Sequence, residues 1–503
     1  MAGLDHSIVN EPRCAGILLH PTSLPGRTGI GTFGPEADAF IDFLARSGQR
    51  LWQVCPLGPT GYGDSPYQCF SAFAGNPLLI GLEQLEVDGL LDRPDLAGSP
   101  AVGERVDYGA IIPWKTRLLR KAFDRFADVA TPGQRARLAQ FEHLNRHWLN
   151  DYAMFMALKD ANDGRPWTEW DADLRDRTPD ALERVAAEQR DRIALSVFLQ
   201  WLFHTQWFQL RAVARAYGIR IIGDLPIFVA HDSADVWAHR DLFKLDEVGR
   251  PTVVAGVPPD YFSATGQLWG NPIYDWDTHR ETGFSWWSDV LTSKFSLYDH
   301  VRIDHFRGFS AYWEIPAGEE TAMNGRWVES PGRELFTVVE ERFGRLPVIA
   351  EDLGLITDDV VELIDYFGFA RMKVLQFAFN ADEQNDYLPH NIGRNAVVYT
   401  GTHDNDTVVG WLGTVREVDR RFALDYLVSD RTEPAWDFVR GALSSPAQFS
   451  VVPVQDLLSL GSEARMNTPG TTGGNWEFRL QPGQLSEEIA DRLRSLTTLY
   501  GRA

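Results

Sequence analysis

Four acidic residues stand at the ends of four short apolar runs, and their types and spacing could perform glycosidic chemistry. The runs cover residues 219–224, 301–304, 347–351 and 397–404, and they end on Asp224, Asp304, Glu351 and Asp404. A retaining glycosidase needs one ionised carboxylate as nucleophile and one protonated carboxyl group to assist the leaving group. Four carboxyl groups at one place are therefore typical of an enzyme that cleaves a glycosidic bond.

Asp304 is the predicted nucleophile because of the residue that precedes it on the same strand. Arg302 lies two positions earlier, so both side chains leave one face of an extended chain. The fixed charge of the guanidinium favours the ionised form of Asp304. His305 follows directly. An Arg-x-Asp pair at a strand end is also compatible with a purely structural ion pair.

Glu351 is the predicted general acid. It follows the apolar residues 348–350, and desolvation there would raise its carboxyl pKa. The alternative is that Glu351 or Asp352 caps the next helix. His403 and Asp404 supply two groups that could hold adjacent sugar hydroxyls, or they form an ordinary polar turn. The convergence of four strand ends on one mouth favours the catalytic interpretation.

A (β/α)8 barrel would bring these residues together, because parallel strands of a barrel end at one face, where active sites lie. Alternating apolar runs and helical patterns predict eight buried strands, at 15–19, 51–55, 219–224, 301–304, 348–351, 372–377, 396–400 and 451–454. Each strand–helix–strand unit closes right-handed into a parallel sheet.

Two insertions interrupt the predicted barrel. Residues from about 78 to 192 carry Glu, Arg, Ala and Leu at helical spacing, which predicts a mostly helical insertion after the second strand. Residues from about 226 to 300 are rich in Trp, Tyr, Gly and Pro and follow the third strand. We predict a single catalytic domain over residues 1–503, with both insertions included.

The composition of the chain argues against some classes of binding partner. The chain has 503 residues and a formal net charge of −22, so nucleic acid and anionic membrane surfaces would be repelled. No apolar stretch has the length of a membrane span. The N-terminal sequence is not that of a signal peptide, and the three cysteines form no disulfide or metal pattern. These features predict a cytoplasmic protein.

Several segments resemble those of a known family. Three segments are similar to signature segments of the α-amylase clan, at residues 301–308, 350–354 and 400–405. Their residue patterns resemble those of one branch of the clan, the 4-α-glucanotransferases called amylomaltases, of glycoside hydrolase family 77. Segments 57–67, 223–229 and 258–272 match the same branch, and the likeness runs from His20 to Trp476. The resemblance implies no C-terminal β-sandwich, which also fits the short stretch after the eighth strand.

The resemblance implies a role for each candidate residue. Asp304 would form a β-glucosyl ester, Glu351 would act as acid and then base, and Asp404 would distort the sugar and stabilise an oxocarbenium-like transition state. The expected substrate-binding residues beside them are Arg302, His403, Asp224, His305, Gln267 and Asn475. The reaction would transfer part of an α-1,4-glucan, such as a malto-oligosaccharide or amylose, to the 4-hydroxyl of glucose or a glucan. It would require no metal or cofactor.

Aromatic residues on two loops are expected to contact the glucan. Tyr261, Phe262 and Trp269 share one loop with a glycine hinge, as a lid over a sugar chain would need. Tyr62 and Tyr67 lie in a Gly/Pro-rich loop after the second strand and could form a second sugar-binding surface. Two alternatives stay open: a hydrolase of α-1,4-glucans with the same catalytic residues, and a catalytically silent carbohydrate-binding barrel.

Overall fold

Eight parallel strands close into a barrel in a computed structural model that describes residues 6–100, 102–259, 263–380, 382–471 and 473–503. The barrel strands are β1 (Cys14–Leu18), β2 (Leu51–Gln53), β3 (Arg220–Leu225), β6 (His300–Ile303), β9 (Val348–Ala350), β10 (Ala370–Val374), β11 (Ala396–Tyr399) and β12 (Phe449–Pro453). Each one pairs in parallel with its neighbours along the chain, and β12 pairs with β1. The predicted (β/α)8 fold is confirmed.

The sixth barrel strand differs from its prediction. It begins at Ala370 and ends at Val374, and residues 375–377 form a 3-10 turn closed by the Ala378 N–H on the Leu375 carbonyl. Residues 372–377 are a continuous apolar or amphipathic run, and such a run does not separate a strand from a buried turn.

Helices cover the barrel and fill the first insertion, as predicted. They are α1 (Pro35–Arg46), α2 (Leu82–Val87), α3 (Arg93–Leu96), α4 (Tyr108–Val129), α5 (Pro132–Ala161), α6 (Ala172–Arg175), α7 (Pro179–Glu188) and α8 (Arg190–Ala216). Pro35 occupies the first turn of α1 and Gly48 follows its end with φ +74°, and both residue types are typical of these positions at the ends of a helix. Helix α8 leads back into β3.

The second insertion contains a small antiparallel sheet that the sequence did not reveal. Its helices are α9 (Ala234–Ala238), α10 (Trp276–Glu281) and α11 (Ser285–Leu297), and its strands are β4 (Val253–Val257) and β5 (Gln267–Pro272). The sheet is completed by β7 (Ala311–Pro316) and β8 (Arg326–Glu329), which follow the fourth barrel strand, in the order β5-β4-β7-β8. The predicted insertion therefore shares its sheet with a segment outside its predicted bounds.

The remaining helices close the barrel without adding a β-sandwich. They are α12 (Gly332–Phe343), α13 (Asp358–Phe367), α14 (Val408–Thr414), α15 (Glu417–Tyr426), α16 (Pro434–Ser444), α17 (Val454–Leu457) and α18 (Glu487–Leu499). Among described residues 454–471 and 473–503 there is no strand, in keeping with the predicted lack of a C-terminal sandwich. No helix in the described part of the chain has both the length and the apolarity to cross a membrane.

The strand register points the site residues into the barrel mouth. Asp224 on β3 is the direct partner of Arg302 on β6, so both side chains lie on the same face of the sheet. Below them the barrel interior is filled by apolar side chains that include Leu51, Ile222 and Val397. Asp304 follows β6 by one residue and Glu351 follows β9 by one, so both stand just above this packed interior.

Candidate active site

A buried ion pair forms the floor of the site. Arg302 Nη1 donates to both carboxylate oxygens of Asp224, at 2.9 and 2.8 Å, and both side chains are almost fully buried. The Tyr67 hydroxyl donates to Asp224 Oδ2 at 2.8 Å. Such a pair is maintained only when its hydrogen bonds are satisfied, because desolvation of each charge is costly. This cluster fixes Arg302 below Asp304.

Asp304 receives the second arm of the same guanidinium. Arg302 Nη2 lies 2.9 Å from Asp304 Oδ1, and the Asp304 side chain keeps 28% of its surface accessible. The predicted contact is thus confirmed, although the pKa of Asp304 is raised above its ordinary value. Burial and the negative charges of Asp224 and Asp404 outweigh the charge of Arg302 there.

Glu351 has the raised pKa that its apolar setting predicted. Burial raises the pKa of Glu351 to about 8, and the negative charge of Asp304 adds to the rise against the charge of Arg302. The Glu351 side chain accepts the His305 backbone N–H at Oε2, 2.6 Å away. It does not cap the next helix, because α13 starts at Asp358 behind Thr357. These surroundings therefore favour the protonated form of its carboxyl group.

The backbone conformation of His305 directs its amide N–H toward Glu351. Its backbone is in the left-handed region with φ 48° and ψ 49°, which is unusual for a residue other than glycine. The turn that follows is bonded to the same strand end, since the Phe306 N–H donates to the Glu351 carbonyl at 3.2 Å. The segment after Asp304 and the segment after β9 are thereby held together.

His403 and Asp404 form a pair at the end of β11. His403 Nε2 lies 3.3 Å from Asp404 Oδ2. Burial alone would raise the pKa of Asp404, but the charge and hydrogen bond of His403 and the amide of Asn467 lower it to about 2. Burial alone would lower the pKa of His403, but Asp404 raises it. The two residues therefore contact each other directly, and each favours the charged form of the other.

Tyr67 lies inside this mouth and not on a separate surface. Its ring stacks on the His403 ring with centroids 4.9 Å apart, and it also contacts the Trp476 ring at 5.7 Å. The expected second sugar-binding surface therefore finds no support from Tyr67. The turn Tyr62–Asp64 is a 3-10 helix, and the side chain of Tyr62 lies outside the described part.

Trp269, which the sequence predicted on a lid loop, lies on strand β5 and reaches the site. The Trp269 ring packs edge-on against the His305 ring at 4.8 Å, and its Nε1 donates to Gln267 Oε1 at 3.2 Å. Gly266 has φ +69° at the turn that leads into the strand, a conformation that favours glycine. Tyr261 and Phe262 lie outside the described residues.

Asn475 has its side chain engaged within its own loop. Its Oδ1 accepts the Thr468 N–H at 2.9 Å, and its Nδ2 donates to Thr471 Oγ1 at 3.1 Å. Sequence reasoning gave no role to Asn467, whose amide nitrogen donates to Asp404 Oδ1 at 2.6 Å. Its only sequence signal is its place in the segment 467–470, which resembles the family.

The site combines carboxyl groups in different electrostatic surroundings with fixed donors. Asp304 lies beside the guanidinium of Arg302 and Asp404 beside the ring of His403, whereas burial raises the pKa of Glu351 to about 8. No group of three or more His, Cys, Asp or Glu side chains in the described residues is arranged to hold a metal ion. The arrangement can perform nucleophilic attack and proton donation on a neutral substrate.

Comparison with known proteins assigns the chain to a family. The 4-alpha-glucanotransferase family model matches residues 19–486. A 4-alpha-glucanotransferase of Thermus thermophilus is 53% identical over 493 residues, 96% of this chain and 98% of that one, and one of Synechocystis sp. is 49% identical over 497 residues, 98% of each. The amylomaltase of Streptococcus agalactiae has been solved in complex with acarbose and is 40% identical to this chain. The match covers 98% of this chain and 100% of the amylomaltase, and the two structures superpose with a TM-score of 0.95. The chain therefore belongs to the 4-alpha-glucanotransferase family, glycoside hydrolase family 77.

Proposed function

We propose that this enzyme moves a segment of an α-1,4-glucan to a 4-hydroxyl acceptor by double displacement, with Asp304, Glu351 and Asp404 as its catalytic residues. Asp304 attacks the anomeric carbon while Glu351 protonates the departing glycosidic oxygen, and the glycosidic bond breaks as a β-glycosyl ester forms. Glu351 then takes the proton of the acceptor hydroxyl as that oxygen displaces Asp304. Two inversions leave the α-configuration.

The observation that carries this proposal is the difference between two neighbouring carboxyl groups. Asp304 accepts from Arg302 at 2.9 Å, and this fixed cation acts toward the ionised form of Asp304, against burial and the carboxylates of Asp224 and Asp404. Glu351 has a pKa of about 8 and faces the same mouth, so it holds a proton at neutral pH. Pairs of carboxyl groups whose surroundings separate their pKa values are the basis of acid and nucleophile assignments in glycosidases.

Asp404 is proposed to stabilise the positive charge that develops on the sugar. Its low pKa keeps it ionised beside a protonated Glu351, and its carboxylate points into the mouth with part of its surface accessible. A fixed negative charge next to an oxocarbenium-like centre lowers the free energy of the transition state more than that of the ground state, because the sugar carries no charge before reaction.

The substrate is proposed to be a malto-oligosaccharide or amylose, with glucose or a glucan chain as acceptor. The relative from Streptococcus agalactiae is solved with acarbose bound, and it superposes over nearly the whole chain. Tyr67, His403 and Arg302 line the same mouth and could bind the reacting sugar. One hydrophobic cluster includes residues of the barrel and of both insertions, which supports a single catalytic domain over residues 1–503.

The products from maltotriose test this proposal. Transfer should give glucose together with oligomers longer than the substrate, while the total number of reducing ends stays constant. Chromatography of the products and a reducing-end assay measure both quantities. A steady rise in reducing ends without longer oligomers would identify a hydrolase instead, and the absence of both would favour a silent binding protein.

Replacing Trp269 with alanine should raise the ratio of hydrolysis to transfer. The ring covers His305 beside the acid, so its loss admits water and removes a stacking surface for the acceptor. We expect a change of about twofold to tenfold, since an aromatic contact contributes about 0.5–1.5 kcal/mol. With maltotriose as substrate, hydrolysis is measured as the rise in total reducing ends and transfer as the amount of oligomers longer than maltotriose.

The matched control is Leu268→Ala on the same strand. Leu268 precedes Trp269 in an extended segment, so its partly exposed side chain points to the opposite face. Its replacement should leave the ratio unchanged. Equal ratios for both variants and the parent enzyme would show that Trp269 only packs the insertion.

A further inference from the structure

A loop that follows the last barrel strand reaches back to the catalytic mouth. Residues 465–471 and 473–476 belong to this loop, and the Asn467 N–H joins it to the end of β11 by donating to the His403 carbonyl at 3.1 Å. Arg465 Nη2 donates to the Asp404 carbonyl at 2.5 Å, and Arg465 Nε donates to the Asn467 carbonyl at 2.8 Å. The backbone of Asp404 is thus bound to a segment more than sixty positions away.

The same loop supplies a donor to the Asp404 side chain. Asn467 Nδ2 donates to Oδ1 at 2.6 Å, while His403 Nε2 lies 3.3 Å from Oδ2. Each carboxylate oxygen therefore has one protein partner, and these partners fix the rotation of the carboxylate. The other charged or titratable groups that act on it are Arg302, Asp304, Cys55 and Arg465.

The neutral character of Asn467 matters in this setting. A carboxylate can be kept ionised by a nearby cation or by a neutral N–H donor. A further cation in this mouth would also lower the pKa of Glu351, which the acid step needs protonated, because charges act over several ångströms. An amide donor acts on the one oxygen that it contacts. Asn467 is such a neutral donor, and its amide contacts one carboxylate oxygen of Asp404.

We propose that Asn467 is a positioning residue for the transfer reaction, which holds the Asp404 carboxylate in the orientation and ionised state that the transition state requires. This proposal rests on the role assigned above to Asp404. It adds a residue from outside the three barrel strand ends that carry the catalytic carboxyl groups.

Two variants of Asn467 test the proposal by opposite pH responses. Asn467→Ala removes the donor, so the pKa of Asp404 should rise and the acid limb of the kcat/KM profile should move to higher pH. The value of kcat for maltotriose should fall by about tenfold to a hundredfold, which is the range for a hydrogen bond to a charged group. The KM should change less than kcat, because the contact acts mainly in the transition state.

Asn467→Asp should behave differently because the introduced carboxyl group can replace the donor only when it carries a proton. Two carboxyl groups in hydrogen-bond contact share one proton at low pH. This variant should therefore lose activity as pH rises and recover part of it at lower pH, where the alanine variant is weakest. A residue that served only to pack the loop would shift neither limb.

The control variants separate the possible outcomes. Thr471→Ala alters the same loop without touching Asp404, since Thr471 bonds to Thr468 and Asn475, and it should keep the parent pH profile. Asp404→Asn tests the catalytic assignment itself. If Asp404→Asn is inactive while both Asn467 variants, folded by circular dichroism, keep the parent kcat and profile, the role of Asn467 is wrong and the proposed function stands. If Asp404→Asn remains active, the proposed function is wrong.

Discussion

Asp304→Ala should abolish transfer from maltotriose, with a loss in kcat/KM of about four orders of magnitude or more, as for removal of a catalytic nucleophile. The fold should persist, because Asp304 lies at the mouth above the apolar interior and Arg302 keeps both bonds to Asp224. No buried charge is left without a partner, which is the usual cause of a severe loss of stability. Activity and thermal unfolding measured on the same preparation test both expectations.

A trapped intermediate identifies the nucleophile directly. A chain-terminated α-glucosyl fluoride donor, quenched after brief reaction with the parent enzyme, should leave a glycosyl ester on the peptide that contains Asp304. Mass spectrometry should find no ester in Asp304→Ala. Asp358→Asn, at the start of α13, serves as an aspartate control outside the mouth and should react as the parent does. An ester on another carboxylate, or a β-linked product, would contradict the double-displacement mechanism.

The strand ends could be predicted because their chemistry follows from local pattern. Arg302 and Asp304 lie two positions apart on one strand, so their contact follows from the period of extended chain. Glu351 follows three fully buried residues, so its raised pKa follows from desolvation. Barrel closure then gathers these ends at one mouth, as the alternation of strands and helices predicted.

The partners that complete the site could not be predicted, because they come from distant parts of the chain. Tyr67 bonds to Asp224 across 157 positions, and Asn467 bonds to Asp404 across 63. Neither contact leaves a periodic signal. The sheet formed by β5, β4, β7 and β8 was missed for a similar reason, since Trp313 and Trp327 pair between short strands that a long loop separates. Such pairings depend on tertiary packing more than on local propensity.

The pKa of Asp304 shows where the local argument was incomplete. Arg302 acts in the expected direction, but burial and the carboxylates of Asp224 and Asp404 act against it. Those two residues are 80 and 100 positions away from Asp304, so their combined effect appears only when the mouth is assembled. A cluster of carboxyl groups that share one guanidinium titrates as a unit, and its members cannot be assigned from sequence neighbours alone.

Glu351→Gln should lose turnover on maltotriose by about a hundredfold to ten-thousandfold, the range of general acid catalysis. It should still be glycosylated by α-glucosyl fluoride, because fluoride departs without a proton. The glycosyl ester on Asp304 should then accumulate, since a sugar acceptor needs Glu351 as base. Azide needs no base, and its addition should release α-glucosyl azide from this variant. Glu362→Gln, an exposed change on α13, should behave as the parent enzyme does.

The pH dependence of kcat/KM also tests the role of Glu351 as the general acid. Glu351 must be protonated for the acid step, and its pKa is raised to about 8 in the folded enzyme. For the parent enzyme, kcat/KM on maltotriose should therefore stay constant between the acid limb and that pH, and fall as pH rises through about 8. With the fluoride donor this alkaline limb should be absent from the glycosylation step, because no proton is donated. If both donors lose activity equally in Glu351→Gln, or if the limb persists with fluoride, another group supplies the proton and Glu351 holds the substrate instead.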